Sequence, residues 1–113
     1  METVNNSFDY IYEKSITNLS NSILKYFGVD PKHKTIKEID EVLSNKRNVI
    51  TILLDGLGSK ILKENLPKEA FLNKHKFMDI NSVLPSTTVA STTSFLSGLN
   101  PIEHGWLRLG YVF

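Results

Sequence analysis

The chain has 113 residues, of which 41% are hydrophobic and 22% charged, as expected for one small globular domain. Thirteen basic and twelve acidic residues leave a net charge of +1. The composition therefore gives no general attraction to nucleic acid or to an anionic membrane. The lack of cysteine excludes disulfides and thiolate metal sites.

The N-terminal sequence METVNNSFDYIYEKS has no basic region followed by an apolar run, which argues against a signal peptide. No apolar run is long enough to span a bilayer. We therefore expect a cytoplasmic protein that does not act at a membrane.

Two amphipathic helices are predicted in a helical N-terminal extension, residues 1–46. Residues 15–27 have apolar side chains at helical spacing, followed by Gly28 as a stop signal. The apolar positions of this first helix are Ile16, Leu19, Ile23 and Phe27. The second helix begins with Thr35 and Glu38 in capping-box register. Both are expected to pack on the domain or on a partner.

The pattern changes to β/α from residue 47. The run NVITILL, residues 48–54, is typical of a parallel strand buried on both faces. It ends at DGLGS, where Ser59 is a suitable N-cap for a short helix to about Glu64. The later segments predict a helical turn in KEAFLNKH, a short strand in FMDI, a loop at LPSTT, a helix in VASTTSFLSG ended by Gly98, and a strand-like segment in WLRLGYVF.

Asp55 and Thr88 are the first candidates for chemistry. Asp55 follows the predicted strand, where a carboxylate is a suitable ligand for a divalent cation, or alternatively only shapes the DG turn. Thr88 falls at a helix N-terminus, where backbone N–H groups favour an anion and a hydroxyl could attack phosphorus. The alternative is that Ser86, Thr87 or Thr88 is simply an N-cap.

Two further residues are weaker candidates. His104 could be a metal ligand, although a turn histidine bonded to backbone is the more common arrangement. Arg108 could contact a phosphate, or it could be an ordinary surface charge. The remaining hydroxyls of the Ser/Thr-rich helix are interpreted as packing groups.

The order of these motifs resembles the alkaline phosphatase superfamily, in particular its type I phosphodiesterase/nucleotide pyrophosphatase branch. The similarity covers about residues 47–111: an apolar strand, DGLGS, LPSTT and a helix closing in SGLNPIEHG. It implies an α/β fold with a mainly parallel sheet flanked by helices. Residues 47–113 would be the first β/α segment of the catalytic domain.

The resemblance also implies a mechanism. Asp55 would bind one of two catalytic metals, usually zinc, and Thr88 would coordinate the same metal and form a covalent phospho-enzyme. Family spacing from Pro85 and from Gly98 leads to Thr88. The substrate would be a small phosphate ester or a nucleotide, which Arg108 could contact. Ser97 replaces the usual Thr of the T-G motif.

Two departures from the family pattern affect these expectations. Leu109 lies about where some diesterases carry an Asn, so the substrate subtype stays open. No Asp or His follows Gly105, whereas zinc normally needs at least three protein ligands. We therefore expect an inactive N-terminal piece of a larger enzyme, whose exposed sheet an oligomer or a C-terminal part would cover.

Other functions stay open beside the diesterase. The chain could be a non-catalytic fragment or degenerate relative that acts as a binding or assembly module through its N-terminal helices. A phosphomonoesterase or phosphomutase of the same superfamily is a further alternative. A sulfatase is disfavoured, because no Cys is present and no Arg follows Pro85 in the required position.

Overall fold

The computed structural model describes residues 13–108, and six helices lie within them. They are α1 (Ile16–Tyr26), α2 (Lys37–Leu43), α3 (Ser59–Asn65), α4 (Phe71–Lys74), α5 (Thr88–Ser97) and α6 (Pro101–His104). The chain divides into two units: the described parts of Met1–Val49 and Ile80–Phe113 form the first, and Ile50–Asp79 forms the second. In the first unit, α1 packs against α2 and α5, and α5 packs against α6.

Helix α1 confirms the predicted first helix to within a residue at each end. Ser15 caps it. The Ser15 hydroxyl accepts from the backbone N–H of Asn18 at 3.3 Å, and the side-chain Oδ1 of Asn18 accepts from the backbone N–H of Ser15 at 2.9 Å. This reciprocal capping box satisfies two backbone donors that the first turn would otherwise leave without partners. Gly28, with a φ of 81°, follows the helix as predicted.

The fully buried residues of α1 are polar, whereas Ile16, Leu19 and Ile23 of the predicted apolar stripe are half-buried. Ser20 Oγ donates to the Phe95 carbonyl of α5 at 2.6 Å, and Ser22 Oγ accepts from the Ile36 amide at 2.8 Å. Phe27, by contrast, is 59% exposed. The buried polar residues are Ser15, Thr17, Asn18, Ser20, Asn21 and Ser22. Hydrogen bonds to neighbouring backbone therefore hold α1 in place, as expected where most buried polar groups are paired. The Thr17 hydroxyl is an exception, because it is buried without a hydrogen-bond partner.

Helix α2 confirms the second predicted helix but not its capping box. The Thr35 hydroxyl donates to Asp40 Oδ2 at 2.6 Å, and Glu38 pairs with Lys14 at 2.7 Å instead of bonding back to the helix start. Ile36 is the N-cap residue and makes no side-chain capping bond. Among the described residues, the apolar core is small and consists of Ile36, Leu43, Val83 and Ala90.

The predicted strand at residues 48–54 is not formed, and the predicted α/β fold with a parallel sheet is wrong. These residues have no regular secondary structure, and Ile50 and Ile52 are 87% and 76% exposed. The FMDI segment is not a strand either. In residues 13–108 the β-structure is limited to an isolated parallel bridge between Ser15 and Asn81. An apolar run becomes a buried strand only when neighbouring strands satisfy its backbone, and no described segment pairs with residues 48–54.

The second unit contains α3 and α4, which contact each other. Asn73 joins them to the turn between them by donating from Nδ2 to the carbonyls of Leu66 and Pro67, at 3.1 and 3.0 Å. Ser59 is the first residue of α3, and Gly58 takes the N-cap position predicted for it. None of the residues from 50 to 79 is buried. This unit therefore has no apolar core of its own.

Helix α5 confirms the predicted Ser/Thr-rich helix and its glycine stop. Gly98, at a φ of 70°, directly follows Ser97. An added Cβ at Gly98 would lie 2.9 Å from Leu24 Cδ1, so the glycine also allows α5 to approach α1 closely. Across residues 13–108, no helix has both the length and the apolar character that crossing a membrane requires.

Candidate functional site

Thr87, and not Thr88, supplies the N-cap of α5. The Thr87 hydroxyl accepts from the Ala90 amide at 3.2 Å and donates to the Leu107 carbonyl at 2.6 Å. Thr88 is the first residue of the helix and is exposed. Of the three hydroxyls that the sequence left open as N-caps, Thr87 is therefore the one that caps the helix. Thr88 remains a hydroxyl at a helix N-terminus that does not serve as its cap.

The same bond brings the segment after α6 to this helix end. Because the Leu107 carbonyl is bonded to the Thr87 hydroxyl, the backbone at residue 107 lies beside the first turn of α5. Arg108 follows directly and is exposed. The backbone next to Arg108 thus lies near the end of α5 at which Thr88 begins the helix, although the two residues are twenty positions apart in sequence. Leu109 lies outside the described residues.

His104 is held by backbone, as expected of a turn histidine. Its Nδ1 accepts from the Trp106 amide at 3.0 Å, and its Nε2 lies 2.9 Å from Ser94 Oγ. Since Nδ1 must accept, the proton of a neutral imidazole is on Nε2, which donates to Ser94. Ser94 is fully buried. In this tautomer His104 cannot act as a base toward Ser94, so the pair anchors α6 to α5.

Two further hydroxyls of α5, those of Ser91 and Ser97, also have structural partners. Ser97 Oγ donates to the Thr93 carbonyl at 2.6 Å and accepts from the Leu99 amide at 3.2 Å. Ser91 Oγ lies 2.7 Å from Ser82 Oγ. These contacts agree with the packing role expected for the hydroxyls other than Thr88.

A buried amide in α1 holds the turn between α5 and α6. Asn21 Nδ2 donates to the Thr17 and Gly98 carbonyls at 2.8 and 2.9 Å. Its Oδ1 accepts from the Lys32 and His33 amides at 2.9 and 3.2 Å. One side chain therefore joins α1, the loop before α2 and the end of α5. The sequence pattern carries no signal for this role, because Asn21 is not among the apolar positions that predicted the helix.

Glu103 joins the same loop to α6. Its Oε1 accepts from the Asn100 amide at 2.9 Å and contacts Nε2 of His33. Partial burial would raise the pKa of the Glu103 carboxyl. The Asn100 and His33 hydrogen bonds, with the positive charges of His33 and Lys32, outweigh that effect and hold the pKa below its ordinary value. Glu103 therefore carries a negative charge next to His104 at neutral pH.

Asp55 belongs to the second unit, where it begins the predicted turn. It is exposed, and Gly56 follows with a φ of 67°. That φ lies in the left-handed region, which glycine adopts without strain and which a DG turn requires. Asp55 and Thr88 fall in different units, so the predicted partnership between them stays a prediction.

A role for Asp79, the second aspartate of this unit, was not anticipated from the sequence. Asp79 pairs with Lys76 at 2.8 Å and accepts a hydrogen bond from the Ser59 hydroxyl. Both bonds lower the pKa of the Asp79 carboxyl, and the bond from Lys76 has the larger effect. Asp79 therefore ties the end of the unit to the start of α3, a structural task that leaves it no evident part in chemistry.

The described residues alone do not complete a zinc site. Nowhere in residues 13–108 do three His, Asp or Glu side chains gather closely enough to hold a metal ion. Structural and catalytic zinc sites need at least three protein ligands. Asp55 and Thr88 alone do not reach that number, so no chemical step is assigned to a metal.

Comparison with known proteins adds no relative. The chain matches no family model, and neither the curated proteins nor the solved structures contain a match to it.

Proposed function

We propose that the protein hydrolyses phosphate diesters or nucleotide pyrophosphates through a covalent intermediate on Thr88. The observation that supports this most directly is that two different threonines cap and begin α5. Thr87 provides the capping bond, while the exposed Thr88 opens the helix. The spacing from Pro85 and to Gly98, which the diesterase resemblance uses, leads to the same threonine.

In this mechanism the Thr88 oxygen attacks phosphorus and loses its proton to solvent or to a base. The bond from phosphorus to the leaving oxygen breaks, and the leaving group departs as an alcohol or a nucleotide. Water then attacks the phosphothreonine, releasing phosphate monoester or nucleotide and restoring the hydroxyl. The backbone N–H groups of the first turn and the helix dipole would stabilise the negative charge on the phosphoryl oxygens.

Arg108 is the proposed substrate contact. Its neighbour Leu107 is bonded to the N-cap of α5, so the guanidinium has its attachment point beside the same helix end. A guanidinium can bind two phosphoryl oxygens at once, which suits a diester or a pyrophosphate. Asp55 is the proposed ligand of a divalent metal, zinc by resemblance. Further ligands would be needed beyond those that the described residues gather.

The test compares Thr88→Ala with Thr92→Ala in the protein expressed from its entire coding region. Thr92 is a half-buried threonine of the same helix, so its removal controls for the loss of a hydroxyl from α5. With bis(p-nitrophenyl) phosphate and zinc, Thr88→Ala should lower kcat/KM by about a thousandfold or more, as expected when a nucleophile is removed. Thr92→Ala should stay within about threefold of wild type. Unchanged hydrolysis by Thr88→Ala would show that the nucleophile is wrongly assigned.

A binding or assembly module is the second candidate, and the exposed apolar surface of residues 50–79 favours it. Soluble monomers rarely expose large contiguous apolar areas, which more often mark interaction sites. The exposed large apolar residues of this unit are Ile50, Ile52, Leu53, Leu54, Ile61, Leu66, Phe71, Leu72 and Phe77. This candidate would be favoured if neither the wild-type protein nor the variants hydrolysed the substrate and the protein associated stably with a partner or with itself.

A further inference from the structure

Residues 47–55, RNVITILLD, form a segment with an unusual combination of properties, called here the apolar segment. Its interior, residues 49–54, contains only Val, Ile, Thr and Leu, with no charge, glycine or proline. Such residues favour β-strands, and six in a row give a segment that pairs readily with another strand. Within residues 13–108, the backbone of residues 48–54 makes no hydrogen bond, and Ile50 and Ile52 are among the most exposed side chains.

The charges that flank the apolar segment indicate what it pairs with. Arg47 and Asp55 lie four residues before and four residues after Thr51. If two copies pair in antiparallel orientation about Thr51, each Arg47 faces the partner's Asp55, and both ends gain an opposite-charge pair. Parallel in-register pairing would place Arg47 against the partner's Arg47 and Asp55 against the partner's Asp55. Like charges directly opposite each other are unfavourable in a β-ladder.

We propose that the protein forms a symmetric homodimer in which two apolar segments pair as antiparallel strands centred on Thr51. In this register Val49 faces the partner's Leu53, and Ile50 faces the partner's Ile52. The cross-strand pairs inside the charged ends are thus apolar, except for Thr51 with its own copy and Asn48 with the partner's Leu54. A two-fold axis through Thr51 satisfies the self-complementarity that a symmetric dimer requires. The pairing depends on the sequence symmetry of the segment and not on the hydrolase proposal.

The lack of cysteine in the chain allows a direct test of the register. Residues directly opposite in an antiparallel pair have Cβ atoms about 4.5–5.5 Å apart, close enough for a disulfide after small adjustment. Thr51→Cys places a single cysteine on the two-fold axis. The control is Leu53→Cys. It lies on the same strand face but about 14 Å along the strand from its own copy, at about 3.4 Å per residue over four residues.

Under mild oxidation, Thr51→Cys should give a disulfide-linked dimer on a non-reducing denaturing gel. Leu53→Cys should run as a monomer on the same gel. Cross-linking of both variants would indicate parallel in-register pairing and overturn the proposal. Cross-linking of neither variant, or of Leu53→Cys alone, would overturn it as well. The assay contains no metal and no phosphate ester, so its result is independent of the hydrolase activity.

A charge reversal tests the orientation without cysteine. Arg47→Asp places Asp against Asp at both ends, and should raise the dimer dissociation constant in sedimentation equilibrium about tenfold. The double variant Arg47→Asp/Asp55→Arg restores opposite charges and should return the constant to within about threefold of wild type. An unchanged constant in the single variant, no recovery in the double variant, or a wild-type protein that is monomeric at about 100 μM would each refute the proposal.

Discussion

Asn21→Ala should be among the most destabilising single substitutions in the first unit. The change removes an amide that is fully buried in α1 and bonds to three separate segments of the chain. Nδ2 donates to the Gly98 and Thr17 carbonyls, and Oδ1 accepts from the Lys32 and His33 amides. Alanine retains the helix but cannot make any of these bonds.

The magnitude follows from what each partner loses. The Thr17 carbonyl lies within α1 and stays bonded in the helix, so the loss of that bond costs little. The Gly98 carbonyl is at a buried residue, and an unpaired buried acceptor costs about 1–3 kcal/mol. The Lys32 and His33 amides lie nearer the surface, where water replaces part of each bond, at about 0.5–1 kcal/mol each. The sum is about 3 kcal/mol, a large share of a small domain's stability.

Urea unfolding followed by circular dichroism measures this difference. Glu41→Ala is the control, because Glu41 is an exposed helical residue of the same unit and lies outside the apolar segment. We expect the control to lower the free energy of unfolding by less than about 0.5 kcal/mol. If Asn21→Ala cost less than about 1 kcal/mol at an unchanged m-value, the inference that this amide holds the three segments together would be refuted.

Two further predictions concern the end of α5 and the turn that follows. Gly98→Ala should lower the free energy of unfolding by about 2 kcal/mol, because Gly98 has a positive φ and an added Cβ would lie 2.9 Å from Leu24. Gly105→Ala should lower it by only about 1 kcal/mol, because Gly105 has a φ of 72° but nothing lies within 4 Å of the added Cβ. Equal losses for the two variants in thermal unfolding would contradict the role of the close approach to Leu24. Because the pKa of Glu103 is lower in the folded state than its ordinary value of 4.5, its stabilising effect is present above about pH 4.5 and is lost as the pH falls through the lower folded-state pKa. The stability difference between wild type and Glu103→Gln should therefore shrink in urea titrations from pH 6 to pH 3, and a constant difference would contradict the assignment.

The sequence predicted local features of the helices well. The limits of α1, the glycine stop of α5 and the turn at Asp55 all follow from residues that act on their immediate neighbours. Capping boxes and glycine C-caps are decided within a few residues, so their sequence patterns carry enough information. At α2 the same kind of signal failed, because Lys14 and Asp40 offered Glu38 and Thr35 better partners.

Features that depend on distant contacts were not predictable in the same way. Residues 48–54 have the composition of a buried strand, but composition does not provide the neighbouring strands that a buried strand requires. The buried polar residues of α1 were not predicted, because their hydrogen-bond partners lie in other segments of the chain. Their bonds run to Phe95, Ile36 and Gly98, and nothing in the spacing of α1 reveals those acceptors and donors. Which hydroxyl near Thr88 caps α5 could be decided only once the first residue of the helix was known.

The polar contact between α1 and its neighbours also bears on how stability changes with temperature. Unfolding of apolar surface raises the heat capacity, whereas unfolding of polar surface lowers it. Since seven buried residues of the described chain are polar and only four belong to the hydrophobic core, much of the newly hydrated surface would be polar. The heat-capacity change per residue should thus fall below the usual value of about 12–15 cal/mol/K. The stability curve of this protein would be correspondingly flat, with little gained on cooling below room temperature.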